Sequence, residues 1–182
     1  MTYTANPIVT RRHLLLVLVG TLSGISFLDG IISLPKTIRP RGIVIHHSAL
    51  PSDESVADIE KLHTARGFGV FYWTRMYYIG YHYIIRADGQ VVSTRPECLR
   101  GAHAKGSNDM LGICILGDFD SSAGDAVPTA PQMRALQTLC RSLIAKYRFL
   151  DSDVHRHSDV DSYTVCPGDH FPFEQLLASL RG

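Results

Sequence analysis

The sequence is short of charge imbalance, of cysteine and of any long uninterrupted apolar segment. Its 18 Lys and Arg against 17 Asp and Glu leave a formal net charge of +1. No basic surface for nucleic acid or an anionic membrane is therefore expected. Cysteine occurs only 4 times in 182 residues. Cys98, Cys114, Cys140 and Cys166 lack both a tight disulfide framework and the close pairing of a structural zinc knot. One disulfide is compatible with this spacing but not implied by it, and Cys114 and Cys140 sit in apolar patterns as small core residues. Internal repeats and low-complexity tracts are absent. The length suits one domain with a core that needs no staples.

The most apolar stretch, Leu14 to Leu28, follows Arg11-Arg12-His13 and is halted by Asp29. It has about the length of the apolar region of a secretory signal and is short for a full membrane span. Thr10-Arg11-Arg12-His13-Leu14-Leu15 also resembles a twin-arginine export signal. No small-x-small cleavage site stands out, so residues 1–34 read as an export signal or an uncleaved anchor. Residues 14–34 would be the membrane tether, and the remaining chain is expected in the periplasm or cell envelope. Residues 35–41, with Pro35, Pro40 and three basic side chains, read as a linker into a domain over 42–182.

What the domain does have is Gly42-Ile43-Val44-Ile45-His46-His47-Ser48-Ala49, a buried strand that ends in two imidazoles. Far along the chain stand His157-Ser158-Asp159-Val160 and Cys166-Pro167-Gly168-Asp169. Histidines and a cysteine distant in sequence, each beside a turn, suggest one zinc site assembled by folding. Neighbours on a strand face opposite ways, so only one of His46 and His47 can point at such a site. Periodicity does not choose between them, because Val44 and Ile45 are both apolar.

The spacing predicts an amphipathic helix over 55–66 with Ser52 or Asp53 as its cap, and a helix over 131–147 capped by Thr129. A short helix is expected over 172–180. Tyr81–Arg86 and Val91–Thr94 read as two strands joined by the turn at Asp88-Gly89. Leu111–Leu116 reads as a central strand covered on both faces. Residues 68–79 are unusually aromatic, either a hairpin or loop packing its rings on the core or an aromatic wall beside a groove. Interleaved strands and helices with one antiparallel pair predict an α/β fold, a mixed central sheet with helices on its faces. His63 and His170 read as surface residues.

Taken in order, Ile45-His46-His47-Ser48-Ala49, Gly80-Tyr81-His82-Tyr83-Ile84-Ile85, Gly101 through Asn108, Leu111-Gly112-Ile113-Cys114 and Gly117 resemble the zinc amidases of the N-acetylmuramoyl-L-alanine amidase type. Thr129 to Met133 and His157 through Asp169 complete the likeness, which runs from residue 42 to about 180. These enzymes share a fold with peptidoglycan recognition proteins and phage lysozyme-type amidases. The resemblance implies Zn2+ held by His46, His157 and Cys166 with water in the fourth position. It further implies Tyr81 and Thr164 as catalytic groups, and His103 and Asn108 as contacts to the muramyl-peptide. The expected reaction is hydrolysis of the amide between N-acetylmuramic acid and L-alanine by a monomer acting on peptidoglycan or muropeptides. The alternative is a binding module of the same fold that recognises peptidoglycan without cutting it, but such modules typically lose the cysteine.

Three features depart from the family pattern. The His157-to-Cys166 spacing is about one residue longer than usual, which brings His155 forward as a substitute ligand. The aromatic segment 68–79 is longer than the usual link, and Ile79 stands where many relatives carry Asp. No carboxylate is evident as general base.

Overall fold

The computed structural model describes residues 35–123 and 126–181. The expected export signal or anchor over residues 1–34 lies outside them. Among the described residues no helix is long and apolar enough to cross a membrane. The described residues form seven strands: β1 (Ile43–His47), β2 (Val70–Tyr72), β3 (Arg75–Tyr77), β4 (Tyr83–Ile85), β5 (Val91–Ser93), β6 (Leu111–Ile115) and β7 (Val154–Arg156). The α-helices are α1 (Val56–Ala65), α2 (Ala130–Tyr147), α3 (His157–Val160) and α4 (Phe173–Leu180).

The main sheet has the order β5-β4-β6-β1-β7. β4–β6, β6–β1 and β1–β7 pair in parallel, and only β4–β5 is antiparallel. This is the expected mixed sheet, with Leu111–Ile115 at its centre. β1 and β6 are buried along their whole length, as parallel strands covered by helices must be. One core joins Ile43, Ile45, Ile113 and Ile115 to Leu136, Cys140 and Leu143 of α2 and to Phe173, Leu176 and Leu180 of α4. On the other face Ile84, Cys114 and Leu116 pack with Ile59 of α1 and with Ile79. Alternation therefore puts Ile43, Ile45 and His47 toward α2 and α4, and Val44 and His46 toward α1.

Capping follows side-chain chemistry. Ser55, not Ser52 or Asp53, caps α1, its side chain accepting from the Asp58 N–H. The candidate caps lie three and two residues too early because the loop continues through Glu54 before the first free N–H groups arise. Thr129 caps α2 as expected, in a reciprocal capping box with Gln132. The Gln132 amide also donates to the Leu116 carbonyl at 2.7 Å, tying α2 to the end of β6.

Residues 154–160, for which no strand or helix is expected, form the edge strand β7 and the single turn α3. Residues 35–41, read as the linker, are hydrogen-bonded to the domain: the Ile38 N–H donates to the Cys98 carbonyl, and Arg100 N–H to that of Lys36, both within 2.9 Å. The aromatic segment is a hairpin of β2 and β3, with Phe71 opposite Met76. Its rings do not all reach the core; Trp73 at the turn is 79% exposed and Phe71 52%.

His82, just before β4, fastens β6 to the loop at Leu99. It is fully buried, its Nδ1 accepts the Gly112 N–H and its Nε2–H donates to the Leu99 carbonyl, each at 2.9 Å. Burial pushes its pKa down to about 4. A base whose folded value lies below its unfolded value of about 6.5 takes up protons on unfolding. Stability from this group should be fully present above about pH 6.5 and be lost as pH falls toward 4, up to about 3 kcal/mol. Other buried histidines add to the slope of urea titrations between pH 4 and 7, so His82→Gln should reduce it by about one group's share; an unchanged slope in the variant would assign that share elsewhere.

Candidate metal centre

The floor of a cleft of about 530 Å3 is set by the end of β1, the start of α3 and the loop that follows it. β1 delivers His46, α3 opens on His157 directly after β7, and Cys166 closes the loop beyond α3. That loop is held by the Ser158 N–H, which donates to the Cys166 carbonyl at 2.9 Å. His46, His157 and Cys166 each offer one donor atom, and all three atoms lie within 4.8 Å of one another. His46 Nδ1 is 3.8 Å from Cys166 Sγ, and the His46 and His157 ring centroids are 4.4 Å apart.

The neighbouring histidines are elsewhere. His47 faces the opposite side of the sheet, where its Nδ1 accepts the Phe119 N–H at 3.2 Å. Its backbone N–H still serves the cluster by donating to Cys166 Sγ at 3.4 Å. His155, paired with Val44 in the sheet, does not join the cluster.

The three donors are held uncharged. Burial, then the imidazoles of His103 and His157, keep His46 well below its ordinary value. Burial likewise lowers His157, against the opposing pull of Asp161. The Cys166 thiol is pushed up to about 12 by burial, partly offset by the His47 N–H. His157 Nε2 is buried without a hydrogen-bond partner, a costly state for a polar atom unless something else engages it.

Tyr81 packs over the cluster, its ring 5.1 Å from that of His46. Burial, with the thiols of Cys114 and Cys166, raises its pKa well above the ordinary value, so it stays a hydroxyl donor. Thr164 lines the same cleft, and its Oγ1 accepts the Cys166 N–H at 3.1 Å, which leaves its own hydrogen free to donate. The loop from Gly101 to Asn108 forms one wall. There the Asn108 side-chain oxygen accepts the N–H groups of His103 at 2.7 Å and Ala104 at 2.9 Å. The His103 ring lies behind His46, its Nδ1 3.0 Å from His46 Nε2. Burial pushes its pKa down to about 3.

Two cleft residues were missed in the sequence. His63 of α1, read as surface, is buried; its Nδ1 accepts the Gly80 N–H at 2.9 Å and its ring lies 5.1 Å from that of Tyr81. Its spacing of four from Ile59, the other buried residue of α1, was the available signal. Asp161 is a carboxylate on the cleft wall, its Oδ2 3.9 Å from His157 Nε2. Sequence alone gives no means of bringing a loop aspartate beside the imidazole of a histidine four residues earlier.

An α/β sheet carrying two neutral imidazoles and a thiol to one cleft is a donor set suited to a single divalent metal. The family profile described as N-acetylmuramoyl-L-alanine amidase matches residues 36–169, and the chain belongs to that family. It is 36% identical over 129 residues to the endolysin of Enterobacteria phage T3, covering 69% of this chain and 78% of the endolysin. Among solved structures it is similar to the endolysin amidase LysCS from Clostridium intestinale, with 37% identity and a TM-score of 0.69 over 81% of this chain and 88% of that one. It is also similar to peptidoglycan recognition protein-LE, solved in complex with tracheal cytotoxin, at 26% identity and a TM-score of 0.61 over 78% and 82%.

The approach of Tyr81 to the cluster is braced by Arg95, a buried guanidinium that faces carbonyls instead of a carboxylate. It donates to Ile79, Arg100, Phe68 and Tyr77 at 2.5 to 3.4 Å. Arg95→Met would strand these buried acceptors, at a cost of about 3 kcal/mol. Arg95→Lys should recover little, because an ammonium cannot span the fork. The urea midpoint measures both, and a shift below about 0.5 kcal/mol in the Met variant would contradict the bracing role.

Proposed function

We propose that this chain is a zinc-dependent amidase that hydrolyses the bond between N-acetylmuramic acid and L-alanine in peptidoglycan or its fragments. The observation that carries the reading is the convergence of His46, His157 and Cys166 beneath Tyr81 and Thr164 in one cleft. The donors fit zinc, which takes imidazole and thiolate ligands and keeps an open position when catalytic. The 3.8 Å between His46 Nδ1 and Cys166 Sγ is close to the ~3.6 Å expected of two ligands on one tetrahedral ion. The buried His157 Nε2 makes no hydrogen bond within the protein.

His46, His157 and Cys166 would hold the ion. Bound there, zinc would polarise the scissile carbonyl and make a water acidic enough to attack near neutral pH. The other roles belong to the chain itself. Tyr81, kept protonated by burial, donates its hydroxyl hydrogen toward the oxygen on which charge develops. Thr164 directs its hydroxyl hydrogen to the same region while its oxygen stays occupied by the Cys166 N–H. Asn108, whose oxygen is spent on its own loop, has its amide hydrogens to offer to substrate. Asp161 is the carboxylate best sited to take a proton from the attacking water. Residues 1–34, with Arg11-Arg12 and the apolar run that follows, support export to the cell envelope.

Purified protein should hold about one zinc per chain and release L-alanine-headed peptide from muropeptide. Cys166→Ala should lose both the metal and the turnover. Tyr81→Phe should keep the metal while kcat falls about 10²-fold, the usual cost of removing one oxyanion donor. Peptidoglycan binding without zinc or turnover would instead identify a recognition module.

A further inference from the structure

The loop residue His103, whose family resemblance points to a substrate contact, has both ring nitrogens committed inside the protein. We propose that His103 is a positioning residue: it fixes the tautomer and ring orientation of His46 so that the Nδ1 lone pair of His46 faces the His157–Cys166 cluster. The proposal rests on the metal-site reading above.

The assignment follows from one carbonyl. His103 Nε2 lies 3.1 Å from the Met110 carbonyl, which can only accept. Nε2 of the ring therefore carries the hydrogen, and Nδ1 of a neutral imidazole is then a lone pair. That lone pair lies 3.0 Å from His46 Nε2, so the His46 nitrogen must be the donor. With its hydrogen on Nε2, His46 has its own Nδ1 lone pair free, and Nδ1 is the atom 3.8 Å from Cys166 Sγ. The order His46 Nε2–H to His103 Nδ1, then His103 Nε2–H to Met110 oxygen, is the only one in which the carbonyl accepts and the neutral rings alternate. Partners of this kind on the outer nitrogen of a metal-binding histidine orient the ring and raise its basicity.

The surrounding backbone is shaped around this ring. Gly112 of β6 lies so close that a Cβ there would come within 2.6 Å of His103 Cδ2, and a Cβ on Gly101 would also collide with the ring. Both positions need glycine for lack of space, whatever their backbone angles. The main chain of His103 is pinned independently, because its N–H donates to the Asn108 side chain at 2.7 Å. Two glycines clamp the plane of the imidazole while an asparagine sets its root. A loop residue selected only to touch substrate would need neither clamp nor a buried carbonyl partner.

The test uses the full-length protein, wild type, His103→Phe and His103→Gln. Phe keeps the planar ring and loses both hydrogen bonds; Gln can offer an oxygen toward His46 and an N–H toward Met110. Nitrogen-15 spectra of the imidazoles in metal-free protein should find His46 with its hydrogen on Nε2 in wild type and in the Gln variant, and a mixture of tautomers in the Phe variant. Zinc affinity by competition with a chromogenic chelator should weaken about 10- to 100-fold in His103→Phe, the usual cost of removing such a partner, and recover substantially in His103→Gln. Hydrogen on His46 Nδ1 in the wild type overturns the proposal. So does a Phe variant with unchanged tautomer and zinc affinity but a raised KM, which would leave His103 as a substrate contact. If His103→Phe does not fold, the wild-type spectrum and the Gln variant still decide. A wild type with the stated tautomer that takes up no zinc would defeat the metal reading while the positioning role stands.

Discussion

Strand β1 lies between β6 and β7, and its parallel register sets where every donor of the cleft can stand. Ile43 pairs with both Leu111 and Val154, so the ends of β1 and β7 run out at the same edge of the sheet. His46 leaves β1 there, and His157 begins α3 one residue beyond β7. A slip of one residue would turn His46 into the α2 face and bring His47 to the cleft. The register is protected against that slip by the apolar cores on both faces, which claim Ile43 and Ile45 on one side and Cys114 and Ile84 on the other. The metal-suited cluster is thus a by-product of burying a parallel sheet correctly, which is why it needs no disulfide to hold it.

The second constraint is electrostatic. The scaffold around the cleft is built from neutral imidazoles acting as hydrogen-bond acceptors for backbone N–H groups. His47 accepts from Phe119, His63 from Gly80 and His82 from Gly112, and burial lowers the pKa of all three. An imidazole in this role cannot be protonated without losing its bond, so hydrogen bonding and desolvation act in the same direction. The charged group buried beside them, Arg95, is satisfied by carbonyl dipoles. Two carboxylates do stand beside imidazoles, Asp161 at 3.9 Å from His157 Nε2 and Asp118 at 3.5 Å from His47 Nδ1, but burial outweighs their upward pull and both rings keep lowered pKa values.

Much of this was legible in the sequence because its signals are local. The apolar run of β6, the Thr129 cap, the Asp88-Gly89 turn and the stripe of α2 each follow from neighbours within one or two turns of chain. What escaped depends on contacts made across the fold. β7 is three residues, Val154–Arg156, stabilised only by pairing with β1, and no period can be read from so short a strand. His63 reads as a polar residue on an amphipathic helix until Gly80 supplies it with a donor. The hairpin at 70–77 defeats the rule that aromatics pack inward, since two short strands offer too little area to cover both faces. His103 lines the cleft, as its loop motif suggests, but its ring contacts to His46 and to the Met110 carbonyl depend on the fold and carry no sequence signal.

The opposite shifts of the donors set the terms on which the cluster can take a cation. Burial lowers His46 and His157 and raises Cys166 to about 12, so near neutral pH the three groups carry no net charge. The imidazoles are then already in the state a metal requires, and the thiol is not. Cys166 must release its proton for the thiolate to become a ligand, so affinity should climb with pH in proportion to that single proton. The His47 N–H directed at Sγ lessens the cost by stabilising the thiolate, and it does so from the strand that carries His46. One short strand therefore presents one donor by its side chain and supports a second by its backbone, which couples the cluster directly to the register of the sheet.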